Sequence, residues 1–541
     1  MIERNPALHW GVLWIVLMAA ALAVRPHLPV DETRYLAVAW EMWLRGDFLV
    51  PHLNGEPYSH KPPLLFWLMQ AGWAVFGVND WWPRLVAPLF GLGSLVLMVP
   101  LARALWPQDQ GIAKDAPYLL LGSLYWALFA TLTMFDTLLA MTAMIALLGL
   151  LRARRVGGWS GWIVFGVGIG IGVLAKGPAI LLHTLPVALL APLWDVEGKI
   201  KASQGGWKRW YVRTGIGVLI GAAIGLAWAI PAAIAGGEEY RNAIFIGQTA
   251  GRMVESFAHQ RPWWFFLALI GPMLLPWTLW PAVWRSLGRL PGQLNDPGLR
   301  FCLAWFLPAF IAFSLISGKQ PHYLLPDFPA AALIIAFLLT KNAGKAPRPW
   351  EQIPPAALLI VVGAVLLAAP VLPFKKIPDW VAEQHLLWAG LIVLAGLLIA
   401  KAPLSLTTHP RVRALGAGMV LFIAALHLIL APRFDDQYSM KPNGKVLAQF
   451  EAEGWSLFQF GKYHGQYQFA GRLTRPIPWT DDKKELKAFL AETPKAKIVA
   501  YRYKLYDDEP KPDAVAPFRN MFMVVWDGDQ VRANPKLALR R

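Results

Sequence analysis

Apolar stretches long enough to cross a lipid bilayer recur along most of this chain and exclude an ordinary soluble fold. A bilayer core of about 30 Å requires roughly 20 apolar residues in a helix. Hydrophobic residues make up 56% of the 541 residues and charged residues only 16%, which indicates a polytopic α-helical membrane protein. We count thirteen candidate spans in the sequence: 8–28, 83–102, 118–134, 137–151, 159–175, 178–194, 212–235, 263–284, 301–317, 323–340, 354–373, 384–400 and 412–431.

Two of the apolar stretches carry a single charge near the middle. Residues 118–151 contain Asp136, and residues 159–194 contain Lys176 followed by a glycine and a proline. Each stretch would be about 50 Å long as one helix, which is too long for a single crossing. A charge at mid-membrane also costs about 2.5–3.5 kcal/mol on insertion. We therefore predict two hairpins whose turns deliver Asp136 and Lys176 to the same membrane surface.

Basic residues in short loops set the orientation, because such loops stay in the cytoplasm. If the spans alternate, one side of the membrane collects Arg152, Arg154, Arg155, Lys199, Lys201, Lys208, Arg209, Arg213, Arg285, Arg289, Lys341, Lys345, Arg348, Arg411 and Arg413. The opposite, periplasmic side then holds residues 29–82, residues 236–262 and the C-terminal segment. The formal net charge of +17 is largely this topology signal and requires no nucleic-acid partner.

Two regions outside the spans have a pattern of their own. In the loop 29–82, the spacing of apolar and aromatic residues predicts two surface helices, at about 33–44 and 58–76. Beyond residue 431, β-rich runs alternate with a polar helical stretch, which predicts a small α/β domain. The runs are 455–460, 497–503 and 521–526, and the helical stretch is 481–492. We thus expect a membrane domain, residues 1–431, with 29–82 as its first catalytic loop, and a C-terminal periplasmic domain, residues 432–541.

Polar side chains suited to catalysis gather on the predicted outer side and are nearly absent from mid-span positions, where a transporter would place them. They are Asp31, Glu32, Arg34, Tyr58, His60, Lys61, Asp136, Lys176, Arg241, Arg252, Arg261, Lys319, His322 and Tyr323. Carboxylates and cations beneath aromatic residues suit an anionic amphiphile such as a polyprenyl phosphate sugar. The cations would hold the phosphate, and a carboxylate would act as a base or stabilise an oxocarbenium-like sugar.

Each of these features also has a purely structural interpretation. Asp31 could cap the helix that follows it, and Asp136 and Lys176 could simply keep hairpin ends in water. The turn at residues 60–63 could be a helix start with proline in its first turn. Residues 319–326 could be an interfacial anchor.

The first loop contains a series of motifs that resembles the first periplasmic loop of the bacterial aminoarabinose transferases. The series is Asp31-Glu32-Thr33-Arg34-Tyr35, Gly46-Asp47, Val50-Pro51-His52-Leu53, Lys61-Pro62-Pro63 and Phe76-Gly77. Lys176-Gly177-Pro178 and Tyr323-Leu324-Leu325-Pro326 also resemble family segments. This family modifies lipid A and lies within the protein-mannosyltransferase-like GT-C superfamily. The resemblance implies a GT-C fold of about thirteen transmembrane helices, juxtamembrane periplasmic helices and a periplasmic C-terminal α/β domain.

The resemblance also implies roles for particular residues. Asp31 would be the essential carboxylate, and Asp136 the second carboxylate of the cavity. Phosphate or donor contacts would come from Arg34, Tyr58, Lys61, Lys176, Tyr323 and one of Arg241, Arg252 or Arg261. His60 stands beside Lys61 where the family would have an acidic residue, so no metal site is predicted there. We expect no cofactor and leave a divalent metal requirement open.

The resulting hypothesis is a multi-pass enzyme of the bacterial inner membrane with a periplasmic active site. It would move a sugar, 4-amino-4-deoxy-L-arabinose, from undecaprenyl phosphate to lipid A, which would weaken binding of cationic peptides such as polymyxin. A mannose-type hexosyltransferase acting on protein, lipopolysaccharide core or another glycan stays an alternative, because a fold does not determine the acceptor. A lipid-linked sugar flippase and a noncatalytic scaffold are further alternatives.

Overall fold

The structure is a computed structural model that describes residues 6–245, 260–342, 348–371, 386–401 and 407–540. The chain forms two compact units, which we call the helical unit and the mixed unit. The helical unit comprises Met1–Ala23, His60–Leu65 and Arg84–Ile429, and the mixed unit comprises Val24–Ser59, Phe66–Pro83 and Leu430–Arg541. The predicted boundary after residue 431 divides the chain into two consecutive segments. In the structure, most of the first loop, residues 24–59 and 66–83, instead groups with residues 430–541.

The helical unit is built from α-helices of very different lengths. In chain order they are Pro6–Val24, Trp81–Leu105, Gln110–Leu121, Leu124–Phe129, Asp136–Val156, Ser160–Lys176, Ile180–Leu189, Ala191–Trp194, Lys199–Gln204, Trp207–Ala235, Gly237–Asn242, Phe265–Met273, Pro281–Leu287, Pro297–Leu315, Phe328–Lys341, Ile353–Ala368, Leu386–Ala400 and Thr408–Ile429. Short 3-10 turns lie at Gly177–Ala179, Trp277–Leu279, Leu290–Gln293, Pro321–Asp327, Pro349–Gln352 and Ala369–Val371.

Nine helical stretches in the described residues are apolar and long enough to cross a membrane. They are Pro6–Val24, Trp81–Leu105, Asp136–Val156, Ser160–Leu189, Trp207–Ala235, Pro297–Leu315, Pro321–Lys341, Trp350–Val371 and Thr408–Ile429. Ser160–Leu189 qualifies by length and composition, although the chain turns within it at Gly177. The polytopic helical class is thereby confirmed, while the number thirteen stays a prediction. The predicted span 263–284 is not one helix, because Pro272, Pro276 and Pro281 interrupt backbone hydrogen bonding along it.

Both isolated charges lie at helix ends. The predicted span 118–134 is divided between the helices Gln110–Leu121 and Leu124–Phe129, so the first hairpin stays a prediction. Asp136 is the first residue of its helix, and Lys176 is the last residue before Gly177, whose φ is +72°. At the opposite helix ends, Arg152 Nε donates to Ser160 Oγ at 3.0 Å and Arg154 Nε donates to Asp195 Oδ1 at 2.8 Å. The chain therefore runs out from residue 160 to Lys176 and returns to residue 195.

In the mixed unit, the first loop contains the two predicted helices. They span Asp31–Arg45 and Leu64–Phe76, and a hairpin of β1 (His52–Leu53) and β2 (Glu56–Pro57) lies between them. The hairpin turns at Asn54-Gly55, with φ values of 57° and 93°, as asparagine and glycine favour. The second helix begins six residues later than predicted, because residues that precede a proline avoid helical geometry and Pro62-Pro63 lies just before Leu64.

The C-terminal residues form the predicted α/β domain around a five-stranded sheet. Its strands are β3 (Ser456–Phe460), β4 (Trp479–Thr480), β5 (Ala496–Arg502), β6 (Ala514–Phe518) and β7 (Met521–Asp527). Their order is β4-β3-β5-β7-β6, with β3 parallel to β4 and β5, and β7 antiparallel to β5 and β6. The helices are Ala431–Tyr438, Lys441–Ala452, Gln468–Gly471, Lys483–Glu492, Gly528–Ala533 and Lys536–Leu539.

Alternating side chains of the sheet fill a separate apolar core on each face, as the two-residue period of a strand requires. Leu457, Val499 and Met523 lie in one core. Phe458, Ile498 and Val524 lie in the other. The three predicted β-rich runs are thus β3, β5 and β7, whereas β4 and β6 were not predicted.

The first loop is tied to the α/β domain within the mixed unit. Trp40 Nε1 donates to the Leu473 carbonyl at 2.9 Å, and the Trp73 ring stacks on Phe469 with centroids 5.1 Å apart. The Asn54 side-chain amide exchanges two hydrogen bonds with the Ile477 backbone, at 2.8 and 2.7 Å. These contacts hold the helix Asp31–Arg45 in a defined place on the domain.

Candidate active-site residues

In the helical unit, a buried ion pair joins the start of the helix Asp136–Val156 to the end of the helix Ser160–Lys176. The Lys176 ammonium donates to Asp136 Oδ1, and the two side chains are 12% and 2% exposed. Lys176 Nζ also lies 5.1 Å from the ring centroid of Tyr323, which is part of the turn Pro321–Asp327. Lys176 therefore contacts Asp136 and Tyr323, two other residues that were singled out from distant parts of the sequence.

Further polar groups surround this pair. Lys61 Nζ lies 5.5 Å from the ring centroid of Phe135, the residue before Asp136. Lys61 and His322 both act electrostatically on the Asp136 carboxylate. Two lysines and one carboxylate leave an excess of positive charge, which favours an anionic ligand. We call Lys61, Asp136, Lys176, His322 and Tyr323 the basic cluster.

A second buried pair supports the turn that carries His322 and Tyr323. His183 Nδ1 lies 2.8 Å from Asp327 Oδ1, and both side chains are fully buried. Asp327 is the last residue of the turn, so this bond fixes the turn to the helix Ile180–Leu189. His183 thus has a structural role through its bond to Asp327.

In the mixed unit, Asp31 is the accessible carboxylate of the acidic motif. Its Oδ1 accepts a hydrogen bond from Arg34 Nη2 at 2.6 Å, while half of its side chain, 51%, remains exposed. Val30 is the N-cap residue of the helix Asp31–Arg45, and no side chain accepts a capping hydrogen bond there. The structure therefore does not support the interpretation of Asp31 as a helix cap.

The neighbouring Glu32, in contrast, is buried and has structural partners. Its carboxylate pairs with Arg25 at 2.5 Å and accepts from the Leu28 backbone at 2.8 Å. Tyr58 is also buried, with its ring 6.3 Å from Phe66 and its backbone N–H bonded to the Pro51 carbonyl. The phosphate contact expected of Tyr58 stays a prediction.

Comparison with known proteins identifies the family. Residues 60–228 match the family described as dolichyl-phosphate-mannose-protein mannosyltransferase. A Pseudomonas paraeruginosa protein named undecaprenyl phosphate-alpha-4-amino-4-deoxy-L-arabinose arabinosyl transferase is 30% identical over 400 residues, 70% of this chain and 68% of that protein. A Pseudomonas fluorescens protein, arabinosyl transferase 1 of the same description, is 30% identical over 75% of this chain and 74% of its own. The chain belongs to the aminoarabinose transferase family.

A solved structure agrees with this membership at the level of the fold. ArnT from Cupriavidus metallidurans, crystallised with undecaprenyl phosphate, matches with a TM-score of 0.72 and 21% identity. The match covers 96% of this chain and 97% of that one. The apo form of the same protein matches with a TM-score of 0.69. The GT-C fold implied by the sequence motifs is confirmed.

In the described residues, the side chains of the loop arginines Arg241 and Arg261 have partners outside the basic cluster. Arg241 is exposed and pairs with Glu238 at 3.3 Å, and the Arg261 guanidinium lies 5.9 Å from the Phe265 ring. In the described residues neither arginine contacts Asp136 or Lys176. Arg252, the third candidate, lies outside the described residues.

Two residues of the α/β domain were not predicted as site residues from the sequence. His464 and Lys462 lie in the loop after β3, and the charges of Arg34, Lys462 and Asp31 all act on His464. Burial first, and then the positive charges of Arg34 and Lys462, lower the pKa of His464 to about 4. The imidazole is therefore neutral near pH 7. In the local sequence, Gly461 and Gly465 indicate a turn, but they do not indicate which helix the turn contacts.

Metal ligation was left open by the sequence. Over the ranges that the structure describes, no three His, Cys, Asp or Glu side chains are grouped so that they could hold a metal ion. The predicted independence from cofactors stays a prediction, which activity measurements with and without a chelator would test.

Proposed function

We propose that this chain transfers 4-amino-4-deoxy-L-arabinose from undecaprenyl phosphate to lipid A. The observation that carries the proposal is the 30% identity to relatives named for this donor and sugar, over about three quarters of both chains. Membership of that family makes the chain a glycosyltransferase with a polyprenyl phosphate donor. The family resemblance supports the lipid A acceptor, and the basic residues of the short loops support a periplasmic active site.

For the basic cluster we propose binding of the donor phosphate. As the bond between the sugar and the phosphate oxygen breaks, negative charge grows on the departing undecaprenyl phosphate. Lysine ammonium groups that are already in place stabilise this charge without reorganising. Lys176 is held by Asp136 and Lys61 lies beside Phe135, so both are positioned before substrate arrives.

For Asp31 we propose a role toward the sugar and the acceptor. A phosphate of lipid A is ionised at neutral pH, so its oxygen attacks the anomeric carbon without giving up a proton. Asp31 then serves to orient reacting groups or to stabilise positive charge on the sugar. Its half-exposed side chain and its single bond to Arg34 leave acceptor capacity on the carboxylate for such a contact.

A second candidate is transfer of a mannose-type hexose to protein or another glycan. It is favoured by the match of residues 60–228 to the mannosyltransferase family. The two candidates differ in donor sugar and acceptor, whereas the polyprenyl phosphate donor is common to both.

Mass spectrometry of lipid A separates these candidates. Cells that lack the gene are compared with cells complemented by the wild type, by Asp31→Asn and by Glu56→Gln, a control that removes an exposed carboxylate elsewhere in the first loop. We expect one aminoarabinose increment with the wild type and the control, and none with Asp31→Asn at equal expression. Unmodified lipid A in all strains would overturn the acceptor and direct the search to proteins and other glycans.

A further inference from the structure

The loop between β3 and the helix Gln468–Gly471 is built to present two side chains. Gly461 and Gly465, with φ values of +98° and +74°, bracket Lys462, Tyr463 and His464. Tyr463 is buried at 4% exposure and anchors the loop in the domain core. Lys462 is exposed and His464 is half-buried. Two glycines in left-handed geometry thus fix a short turn with Lys462 and His464 at its surface.

This loop packs on the helix face that carries Asp31 and Arg34. A Cβ added to Gly465 would lie 2.8 Å from Ala37 Cβ and 2.7 Å from Leu53 Cδ1, so the loop backbone touches the helix directly. Asp31, Arg34 and Ala37 are spaced by three residues and therefore share one face of the helix. The contact at Ala37 places His464 within the electrostatic reach of Arg34 and Asp31.

The charges at this place favour an anion. Arg34 uses Nη2 on Asp31, and its buried Nε has no hydrogen-bond partner in the part of the chain that the structure describes. Lys462 forms no ion pair within the same described ranges. One arginine and one lysine thus outweigh the single carboxylate. The neutral imidazole of His464 adds an N–H donor, and such donors together with an ammonium are typical ligands of phosphate oxygens.

We propose that Lys462 and His464 bind a phosphate group of the substrate beside Asp31. This inference rests on the proposed function, because both the lipid A acceptor and the undecaprenyl phosphate donor carry such a group. The α/β domain then contributes directly to substrate binding, and its role is more than support for the first loop.

The test uses the full-length protein with purified lipid A and undecaprenyl phosphate-aminoarabinose. Lys462→Ala and His464→Phe, which removes the N–H donor but keeps a ring, are compared with the wild type and with Lys487→Ala, which removes an exposed lysine from the helix Lys483–Glu492 of the same domain. Loss of one charge-assisted phosphate contact raises KM by about tenfold. A rise in the acceptor KM alone identifies the lipid A phosphate, and a rise in the donor KM alone identifies the undecaprenyl phosphate.

Unchanged KM values for both substrates in both loop variants would overturn the inference. A second readout, acetylation of Lys462 by an amine-reactive reagent, does not depend on turnover. We expect lipid A or undecaprenyl phosphate to protect Lys462 and to leave Lys487 reactive, whereas equal labelling with either lipid would contradict phosphate binding here. If the wild type transfers no aminoarabinose, the proposed function fails, and this protection experiment still decides whether the loop binds a lipid phosphate.

Discussion

At the residue scale, the buried pair of Asp136 and Lys176 combines stability with substrate binding. Lys176→Met removes the cation that donates to the buried Asp136 carboxylate and leaves only the charges of Lys61 and His322 acting on it. Breaking a buried pair costs up to about 3–5 kcal/mol. We expect a lower unfolding temperature in detergent and loss of transfer. The double variant Asp136→Asn with Lys176→Met should recover stability without recovering transfer, because the phosphate loses its ammonium partner. Recovery of both properties together would show that the pair has only a structural role.

His464 gives a prediction about acid stability. Its pKa is lowered to about 4 in the folded protein, whereas an unfolded histidine titrates near its ordinary value of 6.5. Between these values the unfolded chain binds the extra proton, so stability falls as pH falls from about 6.5 toward 4. The unfolding temperature of His464→Gln should therefore drop less between pH 7 and pH 5 than that of the wild type. Equal drops would mean that His464 titrates normally in the folded state.

The sequence predicted some residues of the candidate site better than others for a physical reason. Asp136 and Lys176 interrupt apolar stretches, and the cost of a buried charge alone requires them to lie at turns. Lys462 and His464 lie in a polar loop where no such constraint acts. The position of this loop relative to Arg34 depends on how the α/β domain packs on the first loop. The local sequence does not indicate that packing.

At the scale of single elements, the loop 461–465 offers a matched pair of glycine variants. Gly461→Ala and Gly465→Ala both introduce a side chain at positive φ, which costs about 1 kcal/mol or more. Only the second also brings its Cβ within 2.8 Å of the helix Asp31–Arg45 at Ala37, whereas nothing lies within 4 Å of the first. We expect Gly465→Ala to reduce transfer and thermal stability more than Gly461→Ala. Equal effects would indicate backbone strain alone and no tight contact.

Helices and strands were predicted correctly where apolar residues recur with one clear period. Strands were missed where they are very short or contain proline. The helices of the first loop and the strands β3, β5 and β7 follow the apolar periodicity of the sequence. The strand β4 has only two residues. The strand β6 contains Pro517 and lies at the edge of the sheet, where proline is tolerated because it cannot donate a ladder hydrogen bond. Neither strand has a pattern that would distinguish it from a loop.

At the scale of the whole molecule, residues 24–59 and 66–83 depend on residues 430–541 for their packing. Trp40, Asn54 and Trp73 all find their partners in the α/β domain. A chain that ends after residue 429 keeps every predicted site residue but loses these contacts. We expect it to insert into the membrane, to expose the first loop to limited proteolysis and to lose transfer. A truncated chain with normal transfer would show that the domain is dispensable.

The most direct test of the account is transfer by the purified protein reconstituted in lipid vesicles. Undecaprenyl phosphate-aminoarabinose and lipid A are supplied, and the products are weighed by mass spectrometry for the wild type and for Asp31→Asn. The exposed pair of Asp31 and Arg34 contributes at most about 1 kcal/mol to stability, so the variant should stay folded. We predict aminoarabinose-modified lipid A and free undecaprenyl phosphate from the wild type only. Transfer that survives in Asp31→Asn, or a wild type that leaves lipid A unmodified, would contradict the account.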